Sequence, residues 1–538
     1  MNPSKALFKG AFILTVAALI TKILSAFYRI PFQNIVGDIG FYIYQQVYPF
    51  YGVAMVLSTT GFPVVISRLY AEQREKKAGG YARLLLYVSF LYLQLIGFLC
   101  FLVLYFGAST IAGWMNDPHL AILLRVVAIV FLLFPIVSVL RGYYQGIGDM
   151  TPTALSQVGE QSIRVLTILV LSYLFIQKGY SLYFVGGGAM FGSITGSMTA
   201  GVILFMFLRF RKDWEIIGPK KGLVMQYYGE SKEIVKALTF QGLTICLSGM
   251  LMIFIQMADS LNLYAQLTAN GLAQDAAKGL KGVYDRGQPL IQMGTVAATS
   301  MSLTLVPLIT RERLAAKPQF LHHKIQLAIK VSIVIGAGAS AGLWAIIKPT
   351  NIMLFENGAG SSVLGILSWV IFFTSMIATI TAILQGLGSF LFSAVAVITI
   401  FPLKYVLNLA LIPILGIKGA AVASLLSLAI VTMMLLHQLK RQVKIPLVTL
   451  RFMVVVLLGT AAMYLVLKEY LLVTTFITRL FDMHRLGAAI QALSAVLIGG
   501  FVFLFIILRG KIFHEEDLAY FPLGSKLKYF IARKDRFQ

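Results

Sequence analysis

Ala18–Asp38 reads ALITKILSAFYRIPFQNIVGD and closes the first hydrophobic segment of the chain. It carries two cations, Lys22 and Arg29. Seven positions, about two helical turns, separate them, so a helix presents both on one face. A cation deep in an apolar segment is costly and marks a substrate or ion path. The spacing therefore predicts that both charges face a central cavity walled by two helical bundles. Snorkelling to an interface is the bland alternative, and it suits Arg29, near the outer end, better than Lys22. Pro31 and Gly37 follow and predict a break or bend, a device that transporters use at binding sites.

The rest of the chain continues in the same composition. Of 538 residues, 58% are hydrophobic and 12% charged, and the mean hydropathy is +0.84. Soluble domains are about a quarter charged. Apolar runs of membrane-spanning length recur throughout, whereas a transmembrane barrel would show short alternating strands. The expected fold class is an all-α polytopic membrane protein with 14 transmembrane helices. They are read at roughly 10–30, 42–67, 84–107, 120–140, 154–176, 183–208, 238–262, 283–309, 325–347, 362–385, 390–413, 419–437, 452–467 and 488–508. Lys5 and Lys9 precede the first run, as in a signal sequence, but no small-residue cleavage site closes it, so it reads as an uncleaved span.

The net charge of +24 lies mainly in loops, where lipid headgroups and topology explain it better than nucleic acid. With the N-terminus inside, 30 of the 45 Lys and Arg fall in cytoplasmic segments and 8 in external ones, Lys278 and Lys281 among the latter. Both termini are thus expected in the cytoplasm. Cys100 and Cys246 each lie within an apolar run and read as ordinary buried residues.

QGIGD at Gln145–Asp149 recurs as QGLGS at Gln385–Ser389, and the same offset places Arg164 on Lys404. Ser67-Arg68 is echoed by Thr310-Arg311. These echoes predict two six-helix pseudo-repeats plus two C-terminal helices. The expected divisions are an N-terminal bundle at 1–208, a cytoplasmic linker at 209–237, a C-terminal bundle at 238–437, two additional helices at 438–508 and a basic cytoplasmic tail at 509–538.

Further charges stand in or beside the spans. Asp285-Arg286 opens span 8; either the two form a pair at the headgroup interface, or Asp285 orients a guanidinium whose planar fork suits a phosphate. Asp259 in span 7 has no basic neighbour in sequence, so its partner comes from another helix: Lys404 in span 11, a bound cation or a proton. Lys404 and Asn408 share a helical face. Glu160 and Arg164 are four apart, which predicts an ion pair within one helix or an extension of the cavity lining. Gly188, Gly192, Gly196 and Ala200 form a small-residue ladder that reads as helix packing. His322-His323 read as surface residues, since adjacent histidines diverge on a helix.

The sequence shows no phosphate-binding P-loop, no HExxH and no nucleophile elbow, so no enzyme, resident metal or cofactor is expected. Short external loops argue against a glycan polymerase. Buried charges argue against a bare scaffold for cell-wall proteins.

GFPVVISRLYAE closing span 2, RGYYQGIGDMTPTALSQVGEQSIRV from span 4 into span 5, and YDRG opening span 8 carry a resemblance. Together with the span count, they resemble the polysaccharide-biosynthesis branch of the MOP exporter superfamily, which includes the stage V sporulation protein B group and MurJ-like lipid II flippases. The resemblance implies a flippase in the bacterial cell membrane, carrying an undecaprenyl-pyrophosphate-linked sugar from the inner to the outer leaflet. It implies membrane lipids and cell-wall synthesis proteins as partners. In MurJ-like proteins, basic residues on helices 1, 2 and 8 hold the pyrophosphate. Lys22 resembles the first, Arg29 stands one residue out of register from the next, and Arg286 resembles the helix 8 arginine. Span 2 has no cation before Arg68. Asp259 resembles the acid of a sodium site, but Lys404 stands where the ion would sit, so Na+ or H+ coupling is left open. A MATE-like multidrug or cation exporter is the alternative; cations outnumber acids in the spans and argue against it.

Overall fold

A computed structural model describes residues 3–75, 79–213, 228–296, 318–444, 446–480 and 484–513. Among these residues all regular structure is helical. Eleven helical stretches are long and apolar enough to cross a membrane, or twelve when Tyr228–Gly249 and Leu251–Ala269, bent by 68°, count as one span. This differs from the expected 14 for two reasons. Phe12–Glu72 is one helical stretch of 61 residues that holds the first two expected spans, and the span expected at 283–309 runs past the described residues. Thr310-Arg311, much of the 209–237 linker and most of the tail also lie outside them.

The distribution of side chains is inverted relative to a soluble protein. Leu99, Val103 and Phe106 are 52%, 68% and 73% exposed, while Arg29, Gln46, Arg141 and Arg164 are buried. Continuous apolar exposure on this scale suits lipid rather than water.

By packing, the chain divides into two compact units, residues 1–285 with 390–420 and residues 286–389 with 421–538. The division follows contacts rather than chain order, because Phe390–Ala420, from the second expected repeat, packs into the first unit.

In the first unit, helix α1 spans Pro3–Phe27 and α2 spans Arg29–Val56. They meet at Tyr28, and the hydrogen-bond ladder continues across the junction: Tyr28 N donates to Leu24 O at 3.2 Å and Phe32 N to Tyr28 O at 3.0 Å. Pro31 falls in the first turn of α2, where its missing N–H costs one rung of the ladder at the position a helix best tolerates it. The bend expected at Gly37 is present, with φ 70° and ψ −176° inside α2. A Cβ built there meets nothing within 4 Å, so the backbone conformation alone demands glycine. Just beyond, a Cβ on Gly282 would come 2.0 Å from the Asp38 carbonyl, so glycine lets α7 (Gln274–Asp285) lie against the bend.

The same unit holds α3 (Val130–Gly146), α4 (Thr151–Gln177), α5 (Leu182–Phe210), α6 (Leu251–Ala269) and α8 (Ile400–Leu415). The small-residue ladder on α5 packs onto α4. A Cβ on Gly192 would meet Arg164 O at 3.0 Å, and one on Gly196 would meet Glu160 O at 2.8 Å. Close backbone approach of this kind is how membrane helices gain dispersion contact without a hydrophobic driving force.

In the second unit, Ser340 ties two helices: Phe372 N donates to its Oγ at 3.0 Å, and Ser368 Oγ donates to its carbonyl at 3.1 Å. Trp344 packs against Tyr464 and Trp369, with ring centroids 5.0 and 6.1 Å apart.

Candidate functional site

Tyr44, Tyr48 and Tyr51 stand at i, i+4 and i+7 of α2 and share one face. Tyr28, at the α1–α2 junction, joins them, its hydroxyl 2.8 Å from that of Tyr44. Two buried guanidiniums lie against these rings. Arg29, 2% exposed, sits 4.4 Å from the Tyr48 centroid and 5.8 Å from that of Tyr28. Arg164 of α4, fully buried, sits 4.4 Å from the Tyr51 centroid, 5.3 Å from Tyr28 and 5.6 Å from Tyr48. Its Nη1 donates to Tyr51 Oη at 3.2 Å and Gln161 Oε1 at 3.1 Å; its Nη2 donates to Tyr28 Oη at 2.9 Å and Tyr44 Oη at 3.4 Å. Ring faces and hydroxyls attract a cation without neutralising it. Arg29 is thus an interior residue and does not snorkel. Lys22 is half-buried on α1.

The ion pair expected between Glu160 and Arg164 is replaced by another. Glu160 takes Arg141 of α3, with Nη2 at 2.8 Å, while Arg164 turns to the tyrosines. Arg141 Nε also donates to Ser156 Oγ at 3.0 Å and Nη1 to Ser58 O at 3.3 Å. The i,i+4 spacing permits a pair within a helix, but a fork from a neighbouring helix satisfies the carboxylate and three elements together. Arg141 lies one residue past the span read at 120–140, yet it is fully buried.

Asp259 on α6 does take its partner from another helix. Lys404 Nζ on α8 donates to Oδ2 at 2.5 Å, and Asn408 Nδ2 donates to Oδ1 at 3.1 Å. Tyr284 Oη adds a third bond to Oδ2 at 3.0 Å. Lys404 also reaches Ile255 O at 3.3 Å, and Asn408 reaches Asn262 Oδ1 at 2.8 Å. On α7, Lys281 Nζ donates to both oxygens of Asp285, at 2.6 and 2.7 Å. The role expected of Asp285, orienting Arg286, is therefore corrected: the carboxylate is bidentate to Lys281, one turn earlier. Arg286, fully buried in the second unit, donates to Asn357 Oδ1 at 2.7 Å and lies 5.3 Å from the Phe355 centroid.

A further cluster has no signal in the sequence. Asp117 accepts from Tyr42 Oη at 3.1 Å and from Tyr183 Oη at 2.9 and 2.7 Å. Lys278 donates to Tyr183 Oη at 2.9 Å and lies 3.9 Å from Asp117. These residues are far apart in sequence, and no spacing signals the cluster. Lys281–Asp285 has the four-residue spacing of a helical pair, but the topology read from loop charge sets Lys281 among the external charges.

Between α3 and α4, Asp149 of the QGIGD motif accepts from Thr151 N at 3.0 Å and pairs with Arg211. Partial burial works to raise its carboxyl, but the Thr151 N–H and the Arg211 guanidinium outweigh it and hold the group below the ordinary carboxylate range. Among the described residues no group of three or more His, Cys, Asp or Glu is placed to hold a metal ion.

The family model described as "Polysaccharide biosynthesis protein" matches residues 7–312. The chain is similar to the uncharacterized membrane protein YabM of Bacillus subtilis (strain 168), 46% identical over 533 residues, covering 98% of this chain and 97% of that one. It is 26% identical over 524 residues to the lipid II flippase MurJ of the same organism, covering 93% and 95%. In fold it is similar to a lipid II flippase MurJ solved in an inward closed conformation, with TM-score 0.66, 16% identity and coverage of 92% and 98%.

Proposed function

The chain belongs to the polysaccharide biosynthesis protein family of the MOP exporter superfamily, and on that premise we propose that it is a flippase. The cargo is an undecaprenyl-pyrophosphate-linked sugar, lipid II or another cell-wall or polysaccharide precursor, moved from the inner to the outer leaflet. One observation carries the reading most directly. Arg29 is buried and held against tyrosine rings, a setting with capacity for an anion. Lys22, two turns earlier, supplies a second cation. Arg286 is proposed as a substrate cation on the strength of the YDRG motif. An excess of buried cations favours an anionic headgroup over the cationic cargo of a multidrug exporter.

The proposed topology has 14 spans. It counts Phe12–Glu72 as two, the bent pair as one, and adds a span at 283–309. The two six-helix repeats, 1–208 and 238–437, rock about the cargo in alternating access while the lipid tail stays in the bilayer. The excess of Lys and Arg in alternate loops supports both termini on the cytoplasmic side of a bacterial cell membrane. An inside-negative potential favours return of an empty cationic site, by about 2.3 kcal/mol per charge per 100 mV. The ammonium of Lys404 on Asp259 favours resetting by potential or proton over a sodium ion at that carboxylate.

The test is a leaflet-accessibility assay in proteoliposomes. Lys22→Ala and Arg286→Ala each abolish movement of the lipid-linked sugar while membrane levels of the protein hold. Full activity in both variants overturns the cation reading. Depletion in cells, followed by identification of the lipid-linked sugar that accumulates inside, names the cargo.

A further inference from the structure

We infer that Arg164 on α4 is a pyrophosphate-binding residue, forming with Arg29 a two-guanidinium receptor that supplies the cation missing from span 2. The inference rests on the flippase reading and adds to it a residue and a geometry.

The argument begins with how Arg164 is held. Its four bonded partners are three tyrosine hydroxyls and one amide oxygen, all neutral. Arg141, one helix away, shows the contrast, because it takes the Glu160 carboxylate at 2.8 Å. A buried cation normally acquires such a counter-charge, since desolvation without one costs several kcal/mol. Glu160 is one turn from Arg164 on the same helix, yet it is committed elsewhere.

The bonding is also incomplete. Arg164 Nε and Gln161 Nε2 are buried and have no hydrogen-bond partner among the described residues. Nε together with one Nη forms the edge with which arginine grips an oxyanion in two parallel bonds. That edge of Arg164 therefore carries an unused donor beside one held only by hydroxyls, and the Gln161 amide adds another. Arg29 is the second reason. Both guanidiniums lie against the rings of Tyr28 and Tyr48, so two like charges share one aromatic wall. In a medium of low dielectric their repulsion is weakly screened, and a polyanion placed between them relieves it. The tyrosine hydroxyls act as place-holders that yield to phosphate oxygens.

The experiment measures binding of undecaprenyl pyrophosphate and of undecaprenol to the purified full chain in detergent, with inorganic pyrophosphate as competitor and a thermal melt of each variant. The wild type prefers the pyrophosphate lipid. In Arg164→Gln that preference falls by about tenfold or more while undecaprenol binding is unchanged. Arg164→Lys, which keeps the charge but loses the fork, falls several-fold and decides the question if the glutamine variant does not fold. A preference lost in Arg29→Gln but retained in both Arg164 variants overturns the role of Arg164 alone. A wild type that does not discriminate the two lipids overturns the flippase reading with it. Inorganic pyrophosphate binding as tightly as the lipid overturns the assignment to a lipid headgroup.

Discussion

Two regions of the first unit bury positive charge by opposite means. At Asp259, carboxylate, ammonium, amide and hydroxyl close on one another across α6, α7 and α8, and the charges cancel. At Arg29 and Arg164, two guanidiniums lie against tyrosine rings, and the hydroxyls and amide oxygen bonded to Arg164 leave its positive charge uncancelled. The first arrangement satisfies itself. The second has capacity left for an anion, and the Arg164 Nε makes that visible as an unused donor. Burial alone does not separate a structural charge from a functional one; the chemistry of the partners does.

The closed network should therefore be the more fragile when one member is removed. Lys404→Met leaves Asp259 buried without its cation, and a loss of about 3–5 kcal/mol is expected. The double variant Lys404→Met/Asp259→Leu should recover most of it, because an apolar pair of similar volume replaces an ion pair at little cost. Thermal unfolding in detergent reads both. If the double variant is as unstable as the single, the pair is not the source of the stability.

Arg164 should behave in the opposite way. Its hydrogen bonds join a charged donor to neutral acceptors and are each worth about 1.5–3 kcal/mol, so Tyr51→Phe costs roughly 2 kcal/mol of stability. Transport should separate from stability here: Arg164→Lys retains the fold but loses most flipping activity, whereas Lys404→Met loses both together. Equal loss of fold and transport at the two sites would erase the distinction.

The fold class was legible because hydropathy acts over whole segments, and averaging protects it from local error. The Asp259–Lys404 pair was legible because an unaccompanied acid in an apolar helix must find a cation, and few were available. The Glu160–Arg164 pair was misread because i,i+4 spacing shows which residues can meet, not which competitor is nearer. Arg141 is that competitor, and it stands one residue past the span read at 120–140, outside the charges read within spans. Asp117 with Tyr42, Tyr183 and Lys278 gave no signal, because two tyrosines and a lysine on three separate helices carry no periodicity. The tyrosine face of α2 was present as Tyr44, Tyr48 and Tyr51, yet only the fold showed that two arginines lie against it.

Gly37 tests the bend that separates the caged cations from α7. A Cβ there has space, so Gly37→Ala isolates the backbone term, and φ +70° with ψ −176° should cost about 1–3 kcal/mol in alanine. Gly282→Ala adds a clash with the Asp38 carbonyl and should cost more. If Gly37→Ala proves the worse of the two, the bend is stabilised by something other than glycine's conformational freedom.

The smallest effect is expected at Asp149, an ion pair outside the spans with both partners partly in solvent. The Asp149 carboxyl is held below its unfolded value, so its contribution is complete above the unfolded pKa and is lost as pH falls through the lower, folded one. Asp149→Asn should therefore lower stability by less than about 1 kcal/mol at neutral pH and by progressively less in acid. The remaining loss belongs to the Thr151 N–H, which an asparagine oxygen still accepts, so Asp149→Ala should exceed Asp149→Asn at every pH. If the two variants match, Arg211 rather than the turn carries the whole interaction, and raising the salt concentration should then abolish it.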